Sequence, residues 1–427
     1  MITSTGYIMN MFEFKSKLVA YWSSTGIFLI FAMALTIRSG YSYGATLLLL
    51  GSLTMLAFNA RGTWGLLDKS DKYLLATFVI YGLSFILFRF VHVVEATGFD
   101  KPSRFVIGVL LYLFLRRYPF KLSWLWYGFA IGAIAGVAIG GYERFLEGFY
   151  RAKSNMHPIM FGDIAMLLGL LSLTGILYFK ALKQYRSVVL MALGGLSGIF
   201  ASILSGSRGG WIALPMAIIY IFWQGRELIG KKRVKMIFAG FVLLAIAVGC
   251  VPQLGVSQRI EEAASNIQNY VSGHNENTSV GMRFQMWKAA LYMFREHPVL
   301  GVGKYDLRQY KQQLADRGII NQEVVPFGHA HNEYLTNLSE YGAVGFILLL
   351  FVYLVPMRSF ALKVIRYRNN WQLKSLAMAG VLVPVSFMDF ALTQSMFSHN
   401  SGVMIYILAI LIIWAAIRNQ EVSPVKE

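Results

Sequence analysis

The chain has 427 residues, of which 56% are hydrophobic and only 14% charged, with a formal net charge of +18. A soluble protein carries roughly a quarter charged residues, so this composition excludes an ordinary water-soluble core and points to a membrane protein. The positive excess then reads as the Lys and Arg that collect in cytoplasmic loops, and no nucleic-acid partner is expected.

The apolar stretches are long, rich in Leu, Ile, Phe and Gly, and lack the ten-residue alternation of barrel strands. The expected fold class is all-α: a polytopic membrane protein of about twelve transmembrane helices with one large, partly helical periplasmic loop. In chain order the spans fall near 18–37, 43–60, 73–90, 105–118, 122–143, 159–179, 188–207, 211–225, 236–255, 341–360, 376–394 and 403–417. No small-residue cleavage site accompanies the first, so it is expected to be a retained helix. The fourth and eighth are short for a bilayer that needs about twenty residues, which predicts tilt or local thinning. The single Cys250 lies in the ninth apolar run, which rules out an internal disulfide and suggests no thiolate metal site.

Charge sets the expected orientation. With the N-terminus in the cytoplasm, alternate loops carry Arg61, Lys69 and Lys72; Arg116, Arg117 and Lys121; Lys180, Lys183 and Arg186; Arg226 and Lys231 to Lys235; and Arg358 to Lys374. This positive-inside pattern predicts that both termini are cytoplasmic. The expected division is therefore 1–255 with helices one to nine, 256–340 as a periplasmic loop, and 341–427 with helices ten to twelve and a short tail. That loop holds Arg259, Arg283, Arg295, Arg308 and Arg317, which positive-inside bias does not explain. Guanidinium groups on that face suit an anionic ligand, phosphate above all.

Within the loop, MRFQMWKAALYMFREHPVLGVG has apolar residues at helical spacing and then a His-Pro turn, with HNENTS before it as a polar tip. GHAHNEYLTNLSEYGAVGFILLL is expected to be helical from about Asn332 and to rise into the tenth span. At about 100° per residue, His331, Tyr334, Leu338, Tyr341 and Gly342 would share a face. His331 then reads either as a reactive group at the membrane–water boundary or as a structural helix cap. The pair His329 and His331 has no carboxylate or third histidine at ligand spacing, so no metal is expected.

SGSRGGW places Arg208 in a glycine-flanked turn before a helix N-terminus, a setting for an approaching anion or for a snorkelling arginine. Arg283, read as preceding the loop helix with Trp287 one turn later, has the same two readings. NMHPIMFGD puts His157 and Asp163 at the outer end of the sixth span, where capping competes with function. DKPSR puts Arg104 at the outer entrance of the fourth, and Asp389 and His399 also fall on that side. The chain has no GxxxxGK[ST] phosphate loop and no GxGxxG after a strand. Any chemistry must therefore use an already activated donor, and no cofactor is expected.

At these motifs the chain resembles the O-antigen ligase and polymerase superfamily. The carriers are His331 and Asn332 followed after nine residues by Gly342, SRGG around Arg208, and the Ser-Val-Gly-Met-Arg run ending at Arg283. The long loop between the ninth and tenth spans extends the resemblance over nearly the whole chain. What the resemblance implies is transfer of a preassembled O-antigen from undecaprenyl diphosphate to a sugar hydroxyl of lipid A–core. The setting would be the periplasmic face of a Gram-negative inner membrane, with membrane lipids as further partners and no ATP or metal. It implies that His331 activates or orients the acceptor and that Arg208 and Arg283 neutralise the diphosphate. Asn332, Gly342, His329, His157, Arg104 and Tyr334 are supporting candidates. The alternatives are an O-antigen polymerase, a protein O-oligosaccharyltransferase and, more distantly, a secondary transporter.

Overall fold

The computed structural model describes residues 4–59, 63–92, 96–251, 256–272 and 277–422. Among these the chain forms α-helices and short helical turns and no strand. In order, they are α1 (Ser4–Ala32), α2 (Tyr41–Asn59), α3 (Lys69–Arg89), α4 (Asp100–Arg117), α5 (Leu122–Gly141), α6 (Pro158–Ala181), α7 (Tyr185–Ser205) and α8 (Leu214–Gln224). A single turn α9 (Arg226–Ile229) and α10 (Lys231–Cys250) follow, then α11 (Val256–Val271), α12 (Ser279–Glu296) and α13 (Leu307–Asp316). The chain closes with α14 (Glu333–Arg366), α15 (Trp371–Phe390) and α16 (Asn400–Val422). Each expected span coincides with one of these helices, and the intervening segment before α14 is partly helical, as expected. The end of the ninth span at 252–255 and the His274–Glu276 part of the polar tip lie outside the described residues.

The protein is an all-α polytopic membrane protein. Among the described residues, six helices are long and apolar enough to cross a bilayer on length and composition alone: α5 with its extension to Leu146, α6, α7, α14, α15 and α16. Shorter apolar helices lie at Lys17–Ala32, Tyr41–Ala57 and Gly209–Gln224. The eighth expected span is shorter than its apolar run, because residues Gly209–Trp211 wind as a 3-10 turn before α8 begins.

Local chemistry explains several helix starts. Asp68 and Asp71 cap α3 reciprocally: Asp71 N donates to Asp68 Oδ1 at 2.9 Å, and Asp68 N to Asp71 Oδ2 at 3.1 Å. Thr278 caps α12 and Asn370 caps α15 through their side-chain oxygens. Arg283 therefore lies inside α12, one turn past its start, and not ahead of the loop helix.

The bundle is organised around α6, which is buried along nearly its whole length between α5, α7 and α15. Small residues set the α6–α7 distance: a Cβ on Gly198 would meet the Gly169 Cα at 2.6 Å. By contrast α10 exposes Met236, Val242, Leu243 and Ile246, the expected surface of a lipid-facing helix. Away from the α12–α13 end, the buried Asp71 gathers three donors. Its Oδ1 accepts from Tyr112 Oη at 2.7 Å, Trp414 Nε1 at 2.8 Å and Arg418 Nε at 3.1 Å. One carboxylate thereby ties α3 to α4 and α16, and a buried charge so satisfied holds its helices in one register.

The expectation of a continuous helical face from His331 to Gly342 is corrected. Gly342 has φ 64° and ψ −158°, so α14 is broken there. The segment 298–303 fills the break. Val302 N and Gly303 N donate to the carbonyls of Ser339 and Glu340 at 2.9 and 3.0 Å, while Ala343 N and Val344 N donate to Pro298 O and Val299 O at 2.8 and 3.2 Å. The backbone groups released by the interruption are thus satisfied by a strap rather than left bare in an apolar setting. His92 Nε2 lies 3.0 Å from Leu300 O and pins the strap from α3's side. A Cβ on Gly342 would stand 2.4 Å from the Val299 carbonyl, so the expected close approach of another backbone does occur there.

Candidate active site

Asn332 begins α14 as its N-cap: Oδ1 accepts from Leu335 N at 3.0 Å, and Nδ2 donates to Leu392 O at 3.2 Å. The structural role open to His331 on sequence grounds, that of helix cap, therefore belongs to its neighbour. His331 precedes the cap in the left-handed region, at φ 49°. Such a conformation costs a non-glycine residue about 1–3 kcal/mol and persists only where surrounding contacts over-determine it. Those contacts are present. His331 N donates to His329 Nδ1 at 3.2 Å, Trp287 Nε1 to Ala330 O at 3.0 Å, Ala330 N to Thr336 Oγ1 at 3.1 Å, and Glu333 N to Ala391 O at 2.8 Å. The ring is half-buried. Its Nδ1 is buried without a well-formed hydrogen bond, and beside it the Gln394 amide nitrogen is equally unmatched.

Three more histidines surround this ring. The His329 ring centroid is 4.4 Å from that of His331 and 5.9 Å from that of His399, which in turn is 6.3 Å from His157. His157 caps α6, its Nδ1 accepting from Ile159 N at 3.3 Å, so its capping reading is correct. Burial, reinforced by neighbouring cations and histidines, pushes His329 down to about 3 and His331 and His399 down to about 4. His157 is lowered as well, by burial and by the charges of Arg151 and Arg283. At neutral pH the rings of His329, His331 and His399 are uncharged. Among the described residues no group of three His, Cys, Asp or Glu is arranged to hold a metal ion.

Arg283 reaches this cluster from α12, and its charge acts on both His331 and His157. Its own pKa is lowered by burial and by the like charge of Arg208. The two arginines of the sequence motifs thus converge, although 74 residues lie between them. The opposing acid is Asp163, whose Oδ1 accepts from Ser207 Oγ at 2.8 Å while Oδ2 is buried and unpaired. The motif glycines serve the protein's own packing, contrary to the expected ligand approach: a Cβ at Gly209 would lie 1.9 Å from Thr393 Oγ1. The N-terminus of α8, expected to attract a bound anion, already has one, since Ala213 N donates to Asp389 Oδ2 at 3.1 Å.

The other sequence candidates lie apart from this group. Arg104 Nη2 donates to both carboxylate oxygens of Asp100, at 2.9 and 3.0 Å, and Nη1 points at Asn400 O, 3.5 Å away. Tyr334 donates to Met388 O at 2.9 Å and joins α14 to α15. Gly342 is the helix break already described.

A family model described as O-antigen ligase matches residues 193–350. Over that stretch the chain is similar to O-antigen ligases. An uncharacterized protein of Haemophilus influenzae is 29% identical over 383 residues, which is 90% of this chain and 95% of that one. The stretch matched by the family model contains Arg208, Arg283, His331 and Gly342, so the two converging arginines and the strained histidine lie inside it. His157 and His399 lie outside it and enter the cluster only through the fold. His399 was visible in sequence only as a polar residue at one end of the last span. Gln394 carried no signal, because nothing local marks a buried glutamine as the neighbour of a histidine 63 positions away.

Proposed function

We propose that the protein is a glycosyltransferase of the ligase type. It moves a preassembled O-antigen glycan from undecaprenyl diphosphate to a sugar hydroxyl of lipid A–core, at the periplasmic face of the inner membrane. The observation that supports this reading best is the pair of mutually repelling guanidiniums, Arg208 and Arg283, set against neutral His331. Two such cations are stabilised by an anion bound between them, and a diphosphate presents oxygens that fit a guanidinium fork.

In this reading the acceptor oxygen attacks the anomeric carbon while the bond from that carbon to the diphosphate oxygen breaks. The electron pair leaves with the diphosphate, where the two arginines stabilise the growing charge. The acceptor's proton passes to the uncharged His331 imidazole. His331, with its pKa near 4, is already deprotonated at neutral pH and needs no prior proton loss. Fixing the residue by Asn332 on one side and His329 on the other keeps its ring in place with little reorganisation.

A lipopolysaccharide gel from a strain lacking the gene tests the assignment. Bare lipid A–core, with polymer retained on the carrier lipid, is the expected result. Core bearing a single repeat would instead identify a polymerase and overturn the ligase reading.

A further inference from the structure

A polar cavity adjoins the chain segments that carry His331 and His399, and the proposed mechanism leaves it unused. It has a volume of about 60 Å³ and is lined by Glu333, Glu340, Lys101, Lys304, Tyr341 and Phe397, among others. At ~10–15 Å³ per water this is room for about four to six waters, a bulk nearer to one sugar ring than to an oligosaccharide. Glu333 and Glu340 are only 2% and 4% exposed, yet they stand two turns apart on the same face of α14 and both line the space. Glu333 is engaged at both oxygens, since Oε2 accepts from Phe397 N at 2.8 Å and Oε1 from Asn337 Nδ2 at 3.1 Å. Glu340 lines the cavity and has the neighbouring Tyr341 hydroxyl as a hydrogen-bond partner, and its carboxyl has acceptor sites beyond that bond. Lys101 and Lys304 act electrostatically on Glu340 and repel one another.

The cavity and the histidine cluster share their walls. Glu333 follows His331 and Asn332 directly, and its bond to Phe397 N holds the turn that leads into His399. We propose that this cavity is the subsite for one ring of the glycosyl acceptor, a sugar that carries an anionic substituent such as phosphate. Glu340 accepts from its hydroxyls, Tyr341 and Phe397 flank its apolar faces, and the two lysines hold the anion, which also relieves their mutual repulsion. This rests on the ligase reading for the word acceptor, but not for the sugar site itself.

Two measurements on the full-length purified protein separate the ideas. The first is binding of glucose 6-phosphate, glucose and inorganic phosphate, each titrated alone onto wild type, Lys304→Ala and Glu340→Gln. Lys304 is exposed, so its truncation leaves the fold intact, and thermal melting checks Glu340→Gln. The sugar phosphate should bind wild type at least about tenfold more tightly than either component, and both variants should lose that preference. Equal binding of inorganic phosphate alone, or variants that bind like wild type, overturns the subsite. The second is transfer to lipid A–core, for which both variants should raise the acceptor KM about tenfold with donor binding unchanged. Wild type that binds the sugar phosphate but transfers nothing to lipid A–core would sink the ligase reading and leave the subsite standing. Efficient transfer with unchanged acceptor KM in both variants would do the reverse.

Discussion

The backbone N–H of His331 donates to Nδ1 of His329 at 3.2 Å, and the residue it fixes stands at φ 49°. The bond spans two residues, as an Asx turn does, with an imidazole nitrogen in place of a carboxamide oxygen. In the proposed mechanism His329 acts as a positioning residue. His329→Ala removes the acceptor from a half-buried donor, a loss of about 1–3 kcal/mol of local order, and should lower kcat by roughly tenfold or more. His329→Asn can rebuild the turn with its own oxygen and should recover most of the loss. Equal activity for the alanine and asparagine variants would show that this bond does not position His331.

The break in α14 makes a second prediction. Gly342→Ala places a Cβ 2.4 Å from the Val299 carbonyl at a φ of 64°, so it should destabilise the protein by about 2–4 kcal/mol. Gly240 in α10 has nothing within 4 Å of a built Cβ, and Gly240→Ala should melt at or above the wild-type temperature. Thermal melting in detergent, followed by size-exclusion chromatography, distinguishes them. Similar melting temperatures for the two variants would mean that the strap does not hold the break.

The histidine cluster gives stability a pH dependence whose sign is fixed. The folded pKa values of His329, His331 and His399 lie at about 3 to 4, against 6.5 for an ordinary histidine. The unfolded chain thus binds more protons as pH drops below 6.5. Stability from this source is complete above about pH 6.5 and is lost as pH falls through about 4. The surrounding charges oppose protonation of these rings: Lys311 that of His329, Arg283 that of His331 and Lys101 that of His399. The melting temperature should fall steadily from pH 6.5 to 4, and His399→Gln should flatten the slope. A melting temperature that rises over that interval contradicts the assignment.

Much of the architecture was legible because helix periodicity, caps and basic loops are local signals. The start of α14 near Asn332, the His-Pro stop of α12 and the positions of the spans depend on neighbours within a turn or two. The site was legible only in part. Arg208, Arg283 and His331 stood out by residue type, but their meeting depends on α12 folding back over the bundle. His157 and His399 join across 242 positions, and no spacing rule reaches so far. The break at Gly342 escaped detection because its cause, the 298–303 strap, lies 40 residues earlier and acts through backbone groups that carry no residue signature.

The orientation proposed from the basic loops can be tested directly. In a Cys250→Ser background, a cysteine at Gln322, which is exposed, should react with a membrane-impermeant thiol reagent added to spheroplasts. One at Gly230 should react only after permeabilisation. The opposite pattern would put His331 in the cytoplasm and remove the proposed mechanism.

Single-turnover transfer, measured beside donor-lipid binding for Arg208→Lys, Arg283→Lys and His331→Ala, tests the division of labour most directly. All three must first be shown to insert and fold. Each arginine variant replaces a bidentate fork with a point charge and should slow transfer by roughly thirty- to a thousandfold, about 2–4 kcal/mol of transition-state stabilisation. His331→Ala should transfer as poorly while binding the lipid diphosphate about as well as wild type. If His331→Ala abolishes donor binding while both arginine variants bind and transfer normally, the roles proposed for these three residues are wrong.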